Sequence, residues 1–195
     1  KLLILYKTNN IENEIFKITS LYCHNFENIN CYFIICDNNI NENYIIKNNI
    51  IKIKRIENNW DTLLIKVINS LLIFKNANYT HILISNISTF LNIPLIFKNL
   101  SSDLCVSFTG TYNHNEIIYE FPSGACYLLE ISLVKMICDF FENNNYILNN
   151  KLQPTFNKLF PNTDDIFIGY FLYLNNIKIK KIKIYDILNN KIKNN

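Results

Sequence analysis

Apolar positions along the chain fall into two patterns. Some form short, almost continuous runs that end in polar residues, which is typical of strands buried on both faces of a sheet. These runs lie at 2–6, 31–36 and 81–84. Others recur three and four positions apart, which predicts amphipathic helices. These segments lie at 12–26, 60–75, 130–142 and 164–174.

Weaker patterns predict the remaining elements. Ile alternates with Lys at 44–56, which indicates one half-exposed strand, and again at 177–185, which indicates an edge strand guarded by lysines. The other elements are a short helix at 90–100 and two strands at 104–108 and 116–121, joined by a loop around Gly110. Strands and helices alternate, so we predict an α/β fold with a central mixed, mostly parallel sheet flanked by helices.

Composition narrows the class of protein. The chain has 195 residues, 49% of them hydrophobic and 18% charged, which excludes a disordered tail. A net charge of +3 is too small to indicate nucleic-acid binding. We find no linker and no internal repeat, and we therefore expect a single domain over residues 1–195. Because the chain starts at Lys1 and its only methionine is Met136, we expect it to be part of a longer protein.

Cysteine and asparagine usage give further expectations. The six cysteines form no CxxC pair and there are only three histidines, which argues against a zinc site and favours buried, reduced thiols. No apolar run reaches the roughly 18 residues of a membrane span and no signal peptide is visible, so we expect a cytoplasmic protein. The many Asn, Ile and Lys residues are specified by AT-rich codons, as in a large DNA virus or a parasite. Asn-rich stretches such as 143–145 are expected to be filler in loops.

Polar residues that follow the buried strands are candidates for ligand contacts, because open α/β sheets bind ligands at the carboxyl ends of their strands. Lys7 and Thr8 follow the first strand, Asp37 follows the second, and Asn86 and Ser88 follow the run at 81–84. No glycine-rich phosphate loop follows the first strand, which disfavours Rossmann and P-loop sites.

Three segments, in order, resemble β-1,3-galactosyltransferases and fringe-type glycosyltransferases. YTHILISNISTFLNIPLI at 79–96 is similar to the family's D-D-D-containing segment, FPSGACYLLEISLVKMI at 121–137 to its S-G-x-x-Y segment, and NTDDIFIGYFL at 162–172 to its E-D-V-F segment. NWDTLLIKVINSL at 59–71 is a weaker fourth match to the family's L-T-x-K helix. Gly124 and Gly169 fall at the family's glycine positions.

The resemblance implies a GT-A fold and inverting transfer of a sugar from a nucleotide sugar to a hydroxyl of a glycan or protein acceptor. Such transfer needs a carboxylate to take the acceptor proton and a positive charge on the departing diphosphate, usually Mn²⁺ or Mg²⁺ held by aspartates. Where the family has D-D-D, this chain has Asn86, Ile87 and Ser88, which are not anionic. The departure is compatible with metal-independent transfer or with loss of activity. Cations that could replace the metal are Lys7, Arg55, Lys66 and the lysines of 178–183.

The same resemblance assigns the remaining candidate residues. Asp165 would be the catalytic base and Asp164 the fallback, although both could instead favour the start of a helix. At that helix start we expect the dipole to keep the pKa of Asp165 low. Ser123 and Gly124 would mark a close backbone approach at the donor or acceptor pocket. Lys66 is a candidate donor contact, although its amphipathic helix favours a solvated position.

Two functions are therefore the main candidates, and a scaffold domain whose motifs are coincidental is a third, more remote one. One is an inverting glycosyltransferase that uses a nucleotide sugar as donor. The other is a catalytically degenerate domain of the same fold that binds a glycan or a partner domain. The Asn86-Ile87-Ser88 replacement favours the second, and the retained Asp164, Asp165, Ser123 and Gly124 favour the first.

Overall fold

The computed structural model describes residues 1–8, 27–58, 62–89, 91–98, 100 and 102–182. The predicted helix at 12–26 lies outside the described residues, and so do the start of the predicted helix at 60–75 and the end of the predicted strand at 177–185.

The described elements alternate between strands and helices for much of the chain. The strands are β1 (Leu2–Lys7), β2 (Ile29–Cys36), β3 (Tyr44–Lys47), β4 (Ile50–Ile53), β5 (His81–Asn86), β6 (Cys105–His114), β7 (Ile117–Glu130), β8 (Ile147–Leu148), β9 (Lys151–Leu152) and β10 (Ile179–Lys181). The described helices are α1 (Leu63–Phe74), α2 (Ile93–Lys98), α3 (Ile131–Asn143), α4 (Pro154–Leu159) and α5 (Asp164–Leu174).

Eight of these strands form one sheet, in the order β10-β6-β7-β5-β1-β2-β4-β3. Strands β5, β1, β2 and β4 run parallel, whereas β7 is antiparallel to both of its neighbours. Hydrophobic side chains of β1 alternate between two cores: Leu3 and Leu5 face the core that contains α1, α3 and α5, and Leu2 and Ile4 face the core that contains α2. The prediction of a mixed, mostly parallel sheet flanked by helices is confirmed.

Two predicted strand boundaries are wrong. The segment 44–56 is not one strand but a hairpin, β3–β4, which turns at Asn48 and Asn49 with φ of 50° and 60°. Positive φ at both central residues matches the twist of a tight hairpin. Gly110, expected in a loop, lies within β6 opposite Phe121 of β7, because the β6–β7 pair continues to His114 and Ile117.

Asparagine has a defined conformational role in this fold, which corrects its interpretation as loop filler. Nine described residues other than glycine have positive φ, and eight of them are asparagines: Asn28, Asn48, Asn49, Asn115, Asn145, Asn149, Asn150 and Asn176. Asn tolerates the left-handed region better than most residues because its short side chain bonds locally to the backbone. None of the glycines has positive φ.

The prediction of reduced, buried thiols holds for most of the described cysteines. All five are free, and all but Cys36 are buried. Burial raises the pKa values of Cys105, Cys126 and Cys138 to about 12, so these thiols stay protonated at neutral pH. Separately, no helix among the described residues is long and apolar enough to span a membrane.

Candidate functional site

The carboxyl ends of the parallel strands form the edge on which the candidate residues lie. Lys7 at the end of β1 is in register with Asn86 of β5 on one side and Ile34 of β2 on the other. The chain goes from β1 to β2 and β4 in one direction, and β5 lies on the opposite side of β1. This reversal is a topological switch point, where open α/β sheets form a ligand crevice. Lys7, Thr8 and Asn86 therefore lie where the sequence analysis expected them.

Strand β7 bulges at this edge. Two neighbouring matched pairs of the β6–β7 ladder are Ser107–Tyr127 and Thr109–Pro122. Between these pairs β6 has one residue, whereas β7 has four. Extra residues on one strand bend that strand and change the direction in which its side chains point, and such bulges are enriched beside active sites. The bulge contains Ser123 and Gly124, the two residues expected to mark a close backbone approach.

Side chains from several segments hold the bulge in place. Three successive carbonyls, those of Gly124, Ala125 and Cys126, accept side-chain hydrogen bonds. The donors are Lys7 Nζ to Gly124 O (3.1 Å), Ser85 Oγ and Thr89 Oγ1 to Ala125 O (3.2 and 3.0 Å), and Ser107 Oγ to Cys126 O (3.0 Å). Satisfied backbone groups at a strand irregularity make the local geometry rigid.

Lys7 and Asp164 form a buried ion pair beneath the bulge. Lys7 Nζ lies 2.7 Å from Asp164 Oδ2, and the two side chains are only 4% and 2% exposed. The Tyr127 hydroxyl donates a hydrogen bond to the same oxygen at 2.7 Å, and the ammonium lies 5.8 Å from the centre of the Tyr127 ring. The charge of Asp164 is therefore balanced by Lys7, and its carboxylate is directed into the protein.

Asp165 has a different environment from its neighbour. It is partly exposed and packs against the bulge, where a β-carbon at Gly124 would lie 2.5 Å from Asp165 Oδ2. Oδ1 accepts a hydrogen bond from the Ile166 amide at 2.9 Å. Burial and the nearby charge of Asp164 raise the pKa of Asp165 above its ordinary value of 3.8. The expectation of a low pKa is wrong, because these two effects outweigh the helix dipole and Lys7.

Lys66 is buried rather than solvated, which corrects the expectation from its amphipathic helix. Its side chain is 2% exposed, and Nζ donates to Glu57 Oε1 at 2.9 Å and to the Thr8 carbonyl at 3.2 Å. Glu57 also accepts from the Cys36 amide and the Thr62 hydroxyl. Burial acts to raise the pKa of Glu57, but the hydrogen bonds from Thr62 and Lys66 hold it below its ordinary value. Lys66 thus connects the ends of β1 and β2, directly through the Thr8 carbonyl and indirectly through Glu57, which binds the Cys36 amide.

The other candidate residues are spread along the edge. Asp37 follows β2 and accepts from Lys52 Nζ at 2.8 Å, and this hydrogen bond is the main cause that lowers its pKa. Asn86 and Ser88 belong to a turn in which the Thr89 amide donates to the Asn86 carbonyl at 3.0 Å. Ser88 is exposed and Asn86 is half-buried. The register places Asn86 beside Lys7 and places Asp37 on the far side of β1.

The donor groups at 86–88 do not fit a divalent metal ion. Asn86 and Ser88 supply neutral oxygens and Ile87 supplies none, whereas Mn²⁺ and Mg²⁺ in such sites are held by carboxylates. The carboxylate of Asp164 is already bound by Lys7 and Tyr127. In the part of the chain that the structure describes, no group of three or more His, Cys, Asp or Glu side chains could hold a metal ion.

Comparisons with known proteins add little to this geometry. No protein-family model matches the chain, and no curated protein matches it. Among solved structures, a similar chain is the glycosyltransferase GlyE of Streptococcus pneumoniae TIGR4, with a TM-score of 0.47 and 8% sequence identity. The match covers 93% of this chain and 45% of that chain, so the present chain spans less than half of that structure. A likeness at this level carries no argument about function, which therefore has to be argued from the geometry of the site.

Two residues of this site did not emerge from the sequence analysis. Tyr127 is the tyrosine of the S-G-x-x-Y pattern, so the signal was present, but its hydroxyl was assigned no role. Glu57 follows an Ile-rich segment and carries no local signal. Its role appears only when β2, the segment after β4 and α1 come together around Lys66.

Proposed function

We propose that this chain is the donor-binding and catalytic domain of an inverting glycosyltransferase that takes its sugar from a nucleotide sugar. One observation carries the proposal: two adjacent carboxylates at the strand-end crevice have opposite environments. Asp164 is buried and paired with Lys7, whereas Asp165 is partly exposed with a raised pKa. Acid–base sites commonly contain two carboxylates whose environments differ in this way. The ordered sequence resemblance over 60–174 also supports the proposal.

Asp165 is the general base in this proposal. The acceptor hydroxyl attacks the anomeric carbon, the bond from that carbon to the diphosphate oxygen breaks, and the hydroxyl proton passes to the Asp165 carboxylate. A raised pKa makes a carboxylate a stronger base for a weakly acidic sugar hydroxyl. General-base help of this kind contributes on the order of 10² to 10⁴ in rate.

Lys7, Asp164 and Tyr127 act as positioning residues. Asp164 precedes Asp165 at the start of α5, and its bonds to Lys7 and Tyr127 fix that helix end against the bulge. Thr8, Asp37, Asn86, Ser88 and Ser123 are the proposed contacts to the nucleotide sugar. Lys66 supports this edge through the Thr8 carbonyl. No step of the proposal involves a metal ion, because the donor groups at 86–88 do not fit one.

The alternative is a domain of this fold that binds a glycan or a partner domain without catalysis. It is favoured by the neutral Asn86-Ile87-Ser88 turn and by the Lys7 ammonium, whose charge is already used by Asp164. Binding without catalysis does not require a cation that offsets the charge of a departing diphosphate, whereas sugar transfer does.

A nucleotide-sugar panel tests the proposal and separates it from the alternative. Binding of each donor is measured by calorimetry with and without Mn²⁺, and sugar transfer to a mixture of glycan acceptors is followed by mass spectrometry. We expect one donor to bind and to be consumed, with Asp165→Asn retaining binding and losing turnover. Binding of glycans without consumption of any donor would instead establish the alternative.

A further inference from the structure

A cavity lies further along the same sheet edge, away from Asp165. Its volume is about 540 Å³. Asn38 lies just after β2, Lys54 and Arg55 lie just after β4, and the hairpin β8–β9 contributes Asn149 to Lys151. Since β2 separates β4 from β1 and neighbouring strands are about 5 Å apart, the β4 end lies about 10 Å from the end of β1.

The walls of this cavity are held together by hydrogen bonds between its two sides. Arg55 Nη1 donates to the Asn150 carbonyl at 2.8 Å, and Asn150 Nδ2 donates to the Asn43 carbonyl at 2.8 Å. Asn150 is 8% exposed, and both Asn149 and Asn150 hold the left-handed conformation that closes the β8–β9 turn. The cavity is therefore formed in advance, which lowers the entropic cost of binding a ligand.

The chemistry of the lining is cationic and rich in amides. Three of its residues are cations, five are asparagines and one is Ile56: Asn38, Asn43, Lys54, Arg55, Ile56, Asn58, Asn149, Asn150 and Lys151. No carboxylate is among them. Two nearby acidic residues, Asp37 and Glu57, are paired with Lys52 and Lys66, outside the lining.

We propose that this cavity binds an acidic saccharide, whose sugar units carry carboxylate, sulfate or phosphate groups. Guanidinium and ammonium groups form the strong, charge-assisted hydrogen bonds with such oxyanions, and amides both donate to and accept from sugar hydroxyls. No aromatic side chain is among the described residues of the lining, and these residues therefore offer a nucleobase no surface on which to stack. The lining therefore favours a charged saccharide over a nucleotide. This site stands apart from the proposed transfer reaction, because it involves neither Asp165 nor a donor.

Calorimetry with a chondroitin sulfate tetrasaccharide tests the proposal, with neutral maltotetraose and UDP as comparison ligands. We expect the sulfated saccharide to bind and maltotetraose to bind much more weakly. Raising the salt from about 0.1 M to about 1 M should weaken binding, because exposed charges are then screened. Arg55→Gln and Lys151→Gln should each weaken binding about tenfold, the loss expected when one charge-assisted hydrogen bond is removed.

Control variants keep the result interpretable. Lys135→Gln removes an exposed charge from α3 outside the cavity and should leave affinity unchanged. Lys151 is exposed, so its variant tests the site even if Arg55→Gln disturbs the hairpin. Asp165→Asn should bind the saccharide like the wild type, which separates this site from the proposed reaction. The proposal would be overturned by equal binding of the charged and neutral saccharides, or by unchanged affinity for the sulfated saccharide in both cavity variants. It would also be overturned if the cavity variants lost binding of UDP but kept binding of the sulfated saccharide.

Discussion

Gly124 and Asp165 lie so close together that the position of the carboxylate depends on the absence of a side chain at 124. A β-carbon there would stand 2.5 Å from Asp165 Oδ2, well inside contact distance. Gly124 does not have a positive φ, so the glycine is required by space rather than by backbone conformation. The bulge of β7 thus defines where Asp165 can lie.

Gly124→Ala should therefore disturb the candidate base while leaving the fold intact. We expect sugar transfer to fall by up to about 10²-fold, because a displacement of about 1 Å can have that effect on a positioned catalytic group. Gly110→Ala is the matched control, since the nearest atoms to its added β-carbon belong to the ring of Phe121, 2.6 Å away, and not to Asp165. The measurement is the initial rate of sugar transfer by each of the two variants. Equal rates would show that Asp165 does not depend on this contact.

Asp165→Asn should lower turnover by about 10²- to 10⁴-fold and leave donor affinity nearly unchanged. Asp164→Asn should act differently, since it leaves the buried Lys7 ammonium without its counter-charge. For that variant we expect a loss of about 3 to 5 kcal/mol in the free energy of unfolding. Kinetics and urea unfolding of both variants separate the two roles. A stable, inactive Asp164→Asn together with an active Asp165→Asn would reverse the assignment.

The raised pKa of Asp165 has a consequence for stability. A carboxyl group with a raised pKa in the folded state contributes stability when protonated, and this contribution disappears as the pH rises through that pKa. The charge of Asp165 therefore destabilises the fold at neutral pH. Asp165→Asn should melt at a higher temperature than the wild type at pH 7, and the difference should shrink towards pH 4. Melting curves across this range test the sign, and a lower melting temperature at pH 7 would contradict it.

The Lys66–Glu57 pair should respond unequally to loss of either partner. Lys66 is 2% exposed and Glu57 is 21% exposed, so only Glu57 can be rehydrated when it is left alone. We expect Glu57→Gln to lower the free energy of unfolding by about 3 kcal/mol and Lys66→Met by about 1 kcal/mol. Denaturant unfolding of the two single variants and the double variant measures the asymmetry. Equal losses would indicate that burial does not control this pair.

Nucleotide-sugar binding should depend little on divalent ions, because Asn86 and Ser88 offer neutral oxygens where aspartates would hold a metal. We expect EDTA to change the donor affinity less than about twofold, a free-energy difference of about 0.4 kcal/mol. Calorimetric titrations in EDTA and in Mn²⁺ provide the measurement. If EDTA abolished binding and Mn²⁺ restored it, the interpretation of the 86–88 turn would be wrong.

The sequence predicted those parts of the molecule that have a local signature. Burial of β1 on both faces leaves a continuous apolar run, and α5 has the predicted bounds, Asp164–Leu174. The different environments of Asp164 and Asp165 could not be predicted, because they depend on Lys7, 157 residues away along the chain. Lys66 was placed at the surface because helical periodicity does not reveal a buried partner such as Glu57. The β3–β4 turn was missed because Asn-Asn stands where Asn-Gly is the usual signal.

The separate uses of asparagine and glycine tell an engineer where this chain can be changed. An asparagine in the left-handed region, such as Asn49, can be replaced by glycine without backbone strain, so the turns accept redesign. None of the three glycines accepts even a methyl group without displacing a neighbour, and Gly169 would meet the backbone of Phe121 at 2.5 Å. Stabilising libraries should therefore vary the turns and leave all three glycines fixed.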